Sequence, residues 1–264
     1  MRSVLALALL FVLASPAYAN PKPLPYSYTY PTVPEGSIEI EQYADIVPLK
    51  AIATSGETQW YAATQFQTEL EYGISDHLEL GLYVTVVPTS ATLVSTSSLP
   101  EANGLKQRLR YRFAEEGEWP IDVGVYGEIV ENEREVELEA KILLQRRFQR
   151  LTLVANLWAE HEWYFVRQRY IVLNPTIGAS YQVTPTVHPG IEGWMRVEFP
   201  DPAPHPRPFS VGPHELVGPV VLFNFGRIWW STGVYVRVDQ LGRNAEVGDT
   251  IGSIWARTIV GVGF

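Results

Sequence analysis

The sequence predicts an all-β fold, a transmembrane antiparallel up-and-down barrel of about twelve strands. Three observations carry that expectation. The first residues read as an export leader. Period-2 alternation of apolar and polar side chains runs from Ser37 almost unbroken to Phe264. The connections between runs alternate between short turns and longer loops, as the two ends of an outer-membrane barrel do.

The chain has 264 residues, 46% of them hydrophobic, with 20 Gly, 20 Pro and no Cys. That length suits one large all-β domain. In the leader, Arg2 supplies the positive charge, Val4–Leu13 the apolar stretch, and Ala17-Tyr18-Ala19 a cleavage pattern,. The organisation expected is a signal peptide over 1–19, cleaved after Ala19, a Pro-rich periplasmic N-terminal segment over 20–35, and the barrel over 36–264. Without Cys there is no lipid-anchored start, and the net charge of −9 argues against nucleic acid as partner,. No later run reaches the ~18 apolar residues of a membrane helix. A membrane-spanning form must therefore be a closed barrel, which satisfies its backbone hydrogen bonds internally.

The strand runs expected in order are Ser37–Tyr43, Thr58–Gly73, Leu78–Val86, Leu105–Ala114, Ile121–Val130 and Val136–Phe148, then Leu151–Glu160, Tyr170–Val183, Val187–Phe199, Leu216–Phe225, Ile228–Val238 and Ile251–Phe264. Thr58–Gly73 shows the pattern best. Trp60, Ala62, Thr64, Phe66, Thr68, Leu70 and Tyr72 share one face, and Gln59, Gln65, Gln67, Glu69 and Glu71 fall on the other. Many runs exceed the five or six residues usual in soluble sheets and suit a tilted bilayer crossing.

With a periplasmic start, short turns are expected on the periplasmic side and longer loops outside. The longer ones are 44–57, 87–104, 161–169, 200–215 and 239–250, with 131–135 a short exception. In the last strand Thr258, Val260, Val262 and Phe264 share the lipid face, so Arg257 and Ile259 point inward. An aromatic at the end of such a strand is similar to the signal read by the barrel-assembly machinery, an expected partner beside outer-membrane lipid. Two aromatic belts are expected. Tyr72, Phe113, Trp119, Phe148, Tyr181, Phe225, Trp230 and Phe264 form the one near the short turns, and Trp60, Trp163, Tyr164, Phe165, Tyr170, Phe199 and Trp255 the one near the long loops.

The lumen-lining candidates follow from parity and charge. Lys106, Arg108, Arg110 and Arg112 alternate along one strand, between strands that carry Glu69, Glu71 and Glu79 and strands that carry Asp122, Glu128, Glu137, Glu139 and Lys141. Facing lipid at the midplane, each Lys or Arg would cost about 2–4 kcal/mol, so these groups are expected to face inward. Asn174, Thr176, Ser180, Glu192, Trp194, Arg196, Trp229, Tyr235 and Arg237 form a mixed polar and aromatic surface on the other side. Such a wall reads either as a ladder that stiffens the barrel or as a charged strip that selects solutes.

Enzyme chemistry is not expected. His77, His161, His188, His205 and His214 show no metal-binding spacing, and no G-x-S-x-G elbow occurs,. His161, between Glu160 and Glu162, is the one weak candidate for an oriented base. No cofactor or metal is expected. The Pro-rich stretch 201–208, with His205 and Arg207, reads as a stiff extracellular loop,.

The run Glu71-Tyr72-Gly73-Ile74-Ser75-Asp76-His77-Leu78-Glu79-Leu80-Gly81 resembles a hairpin of the outer-membrane transporter family named for the MetA pathway of phenol degradation. Leu151–Leu157, with Asn156, is similar to that family's mid-barrel strand, and Val217-Gly218-Pro219 and Trp229-Trp230 also fit. The resemblance implies uptake of small hydrophobic or aromatic compounds, and separately a monomeric barrel is expected. The long-chain fatty-acid transporters are a more distant analogue, with an N-terminal hatch for which Asn20–Pro34 is too short. The functions weighed are a passive channel for small solutes, a non-transporting barrel with a sealed lumen and, third, a surface hydrolase.

Overall fold

The computed structural model describes residues 19–88, 93–95, 103–166, 168–201, 212–243 and 246–264, with backbone alone at 93–95. The leader residues 1–18 and the stretch holding His205 and Arg207 lie outside the described residues. β1 (Ile38–Ala53), β2 (Thr58–Ser75), β3 (Leu78–Val86), the short β4 (Leu93–Ser95), β5 (Gly104–Arg112), β6 (Asp122–Asn132) and β7 (Glu135–Phe148) are followed by β8 (Leu151–Tyr164), β9 (Gln168–Leu173), β10 (Thr176–Tyr181), β11 (Val187–Asp201), β12 (His214–Asn224), β13 (Ile228–Arg237) and β14 (Ile254–Gly263). β9 and β10 are two halves of one barrel strand, broken at Asn174-Pro175, and both pair with β8 and β11. Proline has no N–H to give the ladder, which accounts for the break. β14 pairs with β1, so the sheet closes into a twelve-stranded antiparallel barrel with β4 attached to β1 outside the ring.

Closure fixes two faces. Outward-pointing Ile40, Phe66, Leu70, Leu82, Leu109, Ile129, Leu138, Ile142, Leu157, Ile177, Ile191 and Val260 are exposed. A continuous apolar exterior of that extent has no place on a soluble protein and is the lipid face of a membrane barrel. The belt at the short-turn end is present: Tyr72, Phe113, Trp119, Phe148, Tyr181, Phe225, Trp230 and Phe264 are all exposed. Trp255 departs from the expected outer belt. It lies in the lumen, because odd-numbered residues of β14 point inward.

The wall also rises higher than the runs suggested. Residues 44–53, expected in a loop, continue β1 opposite Thr58–Phe66, and 161–164 continue β8. Pro48 lies inside this continuation. At that height β1 has only β2 as a neighbour, since its pairing with β14 reaches Ile46, so the missing N–H breaks no ladder bond there,. Gln149 takes a left-handed φ of 53° in the two-residue turn between β7 and β8, the backbone that tight hairpins require,.

The largest correction concerns residues 20–34. They are not a periplasmic arm but run inside the barrel. Lys22, Leu24, Tyr26, Ser27, Thr29, Tyr30 and Val33 are buried, and the segment touches side chains of β1, β3, β7, β8 and β11. Only the lumen reaches all of these strands. The segment enters at the short-turn end beside Glu39, turns in mid-barrel at Tyr26–Tyr28, and returns beside Gly73 to feed β1.

Glycines make room for what fills the lumen. A Cβ at Gly261 would lie 2.2–2.5 Å from the indole of Trp229. Gly261→Val therefore displaces that ring and is expected to cost about 1–3 kcal/mol. Thermal unfolding followed by the mobility of heated and unheated barrel on a denaturing gel checks this, and an unchanged midpoint would contradict it.

Candidate functional site

An irregular segment buried in a lumen must satisfy every backbone donor it carries. Pro21, Pro23, Pro25, Pro31 and Pro34 carry none. Of the donors that remain, those of Asn20, Tyr26, Ser27, Tyr28, Tyr30 and Val33 meet side chains of the wall. Asn20 N donates to Glu39 Oε2 at 2.6 Å, Ser27 N to Glu192 Oε1 at 2.6 Å, and Tyr26 N to Glu192 Oε2 at 3.1 Å. Tyr28 N donates to Asn156 Oδ1 at 2.7 Å, while Asn156 Nδ2 returns a bond to Tyr28 O at 3.0 Å. Tyr30 N donates to Gln145 and Val33 N to Glu79. Ser27 Oγ donates to Thr176 Oγ1 at 2.8 Å. The polar inner wall thus acts as a receptor for the plug.

Alongside the plug, on the wall from β1 to β5, lies an ion cluster. Arg108 contacts Glu69 (Nε–Oε1 2.7 Å), Glu79 (Nη1–Oε1 2.5 Å) and Glu71, and Arg110 contacts Glu79 (Nη2–Oε2 2.6 Å). Lys22 of the plug brings Nζ to 2.5 Å from Glu41, 2.9 Å from Glu71 and 2.8 Å from Tyr43 Oη. All these side chains are out of contact with solvent. A buried ion group of this kind is costly to break, because removing one member leaves bare charge behind.

The hairpin quoted from the sequence serves this cluster. Glu71 and Glu79 are two of its acids. Gly81 leaves room for Arg108, since a Cβ there would lie 2.5 Å from Nε. Gly73 admits the plug, since a Cβ there would lie 2.0 Å from Pro34 O. Asp76 accepts from Thr32 Oγ1 and Glu35 N.

Above the plug is a cavity of about 100 Å³, with Tyr26 and Tyr28 as floor. Asp45, Glu128, Glu137, Glu139, Glu160 and Glu162 line it, against Lys141, Arg196 and Arg257. Lys141 pairs with Glu139 and its ammonium sits over the rings of Trp158 (3.7 Å), Tyr126 (4.0 Å) and Tyr28 (4.3 Å),. Arg196 reaches Glu160 at 3.3 Å, Glu162 at 3.0 Å and Glu198 at 2.9 Å, and Asn174 donates to Glu160 at 2.6 Å. Lys106 lies 3.7 Å from Glu128. Tyr26 stacks on Trp194 with centroids 4.6 Å apart, and Tyr235 and Trp255 meet the pair edge-on. Below the plug a second cavity of about 320 Å³ opens at the short-turn end.

Several candidates lie elsewhere. Arg112 folds over the periplasmic turn onto Asp76 O and Glu115, where its guanidinium holds the Glu115 carboxyl below the usual range. Asp122 accepts from Gly117 N and shapes the β5–β6 turn. Arg237 reaches Asp249 at 3.0 Å and Gly252 O at 3.1 Å, pinning the last extracellular connection. Trp229 donates its indole N–H to Glu39, and Tyr235 donates its hydroxyl to Glu192. His161 stacks on Trp163 at 3.9 Å on the opposite face from Glu160 and Glu162, so it is not placed to be oriented by them. Sequence reasoning missed Lys22, Tyr26, Tyr28, Glu39, Glu41, Asp45, Glu160 and Glu162. The odd-numbered parity of β1 could have found Glu39, Glu41 and Asp45. Nothing in the alternation could have found the plug, which has no period.

Arg108→Met should destabilise the barrel by about 3–5 kcal/mol, because Glu69, Glu71 and Glu79 then share only Lys22 and Arg110. Adding Glu69→Gln should recover part of the loss. Urea unfolding of the single and double variants checks both, and an equal loss in the two would contradict the charge account.

No protein-family model matches the sequence, and no curated protein matches it. The phenol-degradation family resemblance therefore has no match behind it. In fold, the chain is similar to the COG4313 outer membrane channel from Pseudomonas putida F1, at 12% identity over 89% of this chain and 98% of that one, with a TM-score of 0.59. It is also similar to the NanC porin, at 9% identity over 85% of this chain and 98% of that one, with a TM-score of 0.54. What these likenesses and the apolar exterior together establish is the fold, a twelve-stranded barrel of the outer-membrane type.

Proposed function

We propose that the chain is a passive outer-membrane channel for small solutes, inserted as a monomer by way of its C-terminal strand. The observation that carries this reading is the pair of cavities, about 100 Å³ and 320 Å³, that occupy the two ends of the lumen with the plug between them. A barrel kept only for structure would need no space for several waters at both ends. The likeness to two outer-membrane channels supports the same reading.

The outer cavity argues for the class of solute. Six carboxylates face three cationic side chains there, a local excess of negative charge that draws cations in and repels anions,. The indole N–H groups of Trp158, Trp194 and Trp255 have no acceptor among the described residues, and all three residues line the cavity. The small aromatic compounds implied by the phenol-family resemblance would meet the ring faces of Tyr26 and Trp194. Passage requires the plug to shift, so the described structure corresponds to a closed channel. The sealed barrel is the second reading, and the buried ion cluster alongside the plug favours it.

Planar-bilayer recordings of the purified protein separate the two. The channel reading predicts ion conductance with potassium preferred over chloride, and a smaller preference in Glu137→Gln/Glu160→Gln. A bilayer that stays silent at all voltages, with proteoliposomes impermeable to solutes of every size, would overturn it.

A further inference from the structure

We propose that leader removal between Ala19 and Asn20 creates a structural cation, the α-ammonium of Asn20, which pairs with Glu39 and locks the plug into the barrel. Glu39 is 0% exposed, and it sits in poor electrostatic company. Glu71 stands directly across from it on β2, and Glu41 is its next neighbour on the same inward face. Glu41, Glu69, Glu71 and Glu79 have Lys22, Arg108 and Arg110 as partners. No Lys, Arg or His forms an ion pair with Glu39 among the described residues. Its two carboxylate oxygens receive only the indole N–H of Trp229 and the backbone nitrogen of Asn20, at 2.6 Å.

A neutral amide leaves that carboxylate uncompensated beside two others, which is expensive in a dry interior. Glu192 shows the contrast. It also lacks a cation, but it has three neutral donors, from Tyr26 N, Ser27 N and Tyr235 Oη, and no acid opposite, where the wall places Gly178 and Gly218. Among the described residues Glu39 lacks an ion-pair partner while an acid stands opposite it, and the atom already at hydrogen-bond distance is the nitrogen that cleavage would free. In the hydrolysis, water adds its oxygen to the Ala19 carbonyl carbon, the C–N bond breaks, the leader leaves with a carboxylate, and the amine on Asn20 takes up a proton. Asn20 Nδ2 donates to Pro31 O at 2.9 Å, which holds the new terminus against the returning limb of the plug. The proposal holds whether or not the barrel conducts.

The test is amine chemistry on the intact barrel purified from membranes. Mass spectrometry of the N-terminal peptide should give Asn20 as the first residue. An acetylating reagent should modify its α-amine at least roughly tenfold more slowly in the folded barrel than after unfolding, since reaction requires local opening. Glu39→Gln should abolish most of that protection. Inserting a Gly between Ala19 and Asn20, which moves the amine by about 3.5 Å, should do the same with Glu39 intact. A first residue other than Asn20, or an α-amine that reacts equally fast in the folded and unfolded protein, would overturn the proposal. Should Glu39→Gln fail to fold, the wild-type labelling and the Gly insertion still decide it.

Discussion

The structure depends on one constraint: a chain segment without regular secondary structure lies in the lumen, and each backbone donor it carries there must find an acceptor. Proline removes the requirement at five positions, and Glu39, Gln145, Asn156, Glu192 and Glu79 meet it at others. That explains a feature of the wall that charge counting alone does not. The inward carboxylates and amides are placed where the plug's N–H groups fall. The wall and the plug are halves of one hydrogen-bonded core, with the charged cluster around Arg108 alongside.

The same constraint explains why a barrel of twelve strands leaves so narrow a path. Closing that many strands encloses more space than inward side chains alone occupy. Here the remainder is divided. Tyr26, Tyr28 and Tyr30 fill the middle with rings, the ion cluster fills the lower wall beside β1 to β5, and cavities remain above and below. Ring stacking and cation–π contacts at Lys141 and Arg257 add to the hydrogen bonds that hold the upper surface of the plug,. A plug held mainly by polar contacts to side chains, with no ladder bonds to the wall, has the bonding of an element that can be released as a unit.

Much of this architecture was legible in the residues. Alternation located all twelve barrel strands, because a wall with lipid on one side and polar contents on the other imposes period two without exception. It set their ends too early at Tyr43 and at Glu160, where local residue preferences suggested loops and cross-strand pairing overrode them. It also put Trp255 in a belt although its odd number, read against Phe264, already assigned it to the lumen. The plug was not legible. Proline-rich composition suggests an exposed arm, and only the coordinates reveal that prolines suit burial when a wall supplies the few acceptors needed. The hairpin from Glu71 to Gly81 illustrates the gap. Its acids Glu71 and Glu79 are legible as lumen-facing, but nothing in the run shows that with its glycines they form the seat of Lys22, Val33 and Pro34.

The central claim is that residues 20–34 occupy the lumen, and a chain without cysteine allows a direct test. Ser27 Oγ and Thr176 Oγ1 are 2.8 Å apart, one on the plug and one on the inward face of β10. Both side chains are close in size to cysteine. The measurement is disulfide formation in Ser27→Cys/Thr176→Cys, read by intact mass and by trapping of free thiols after mild oxidation. The account predicts a near-complete intramolecular disulfide in the folded barrel, because the two side chains already meet within bonding reach. Two freely reactive thiols in the folded protein would contradict it.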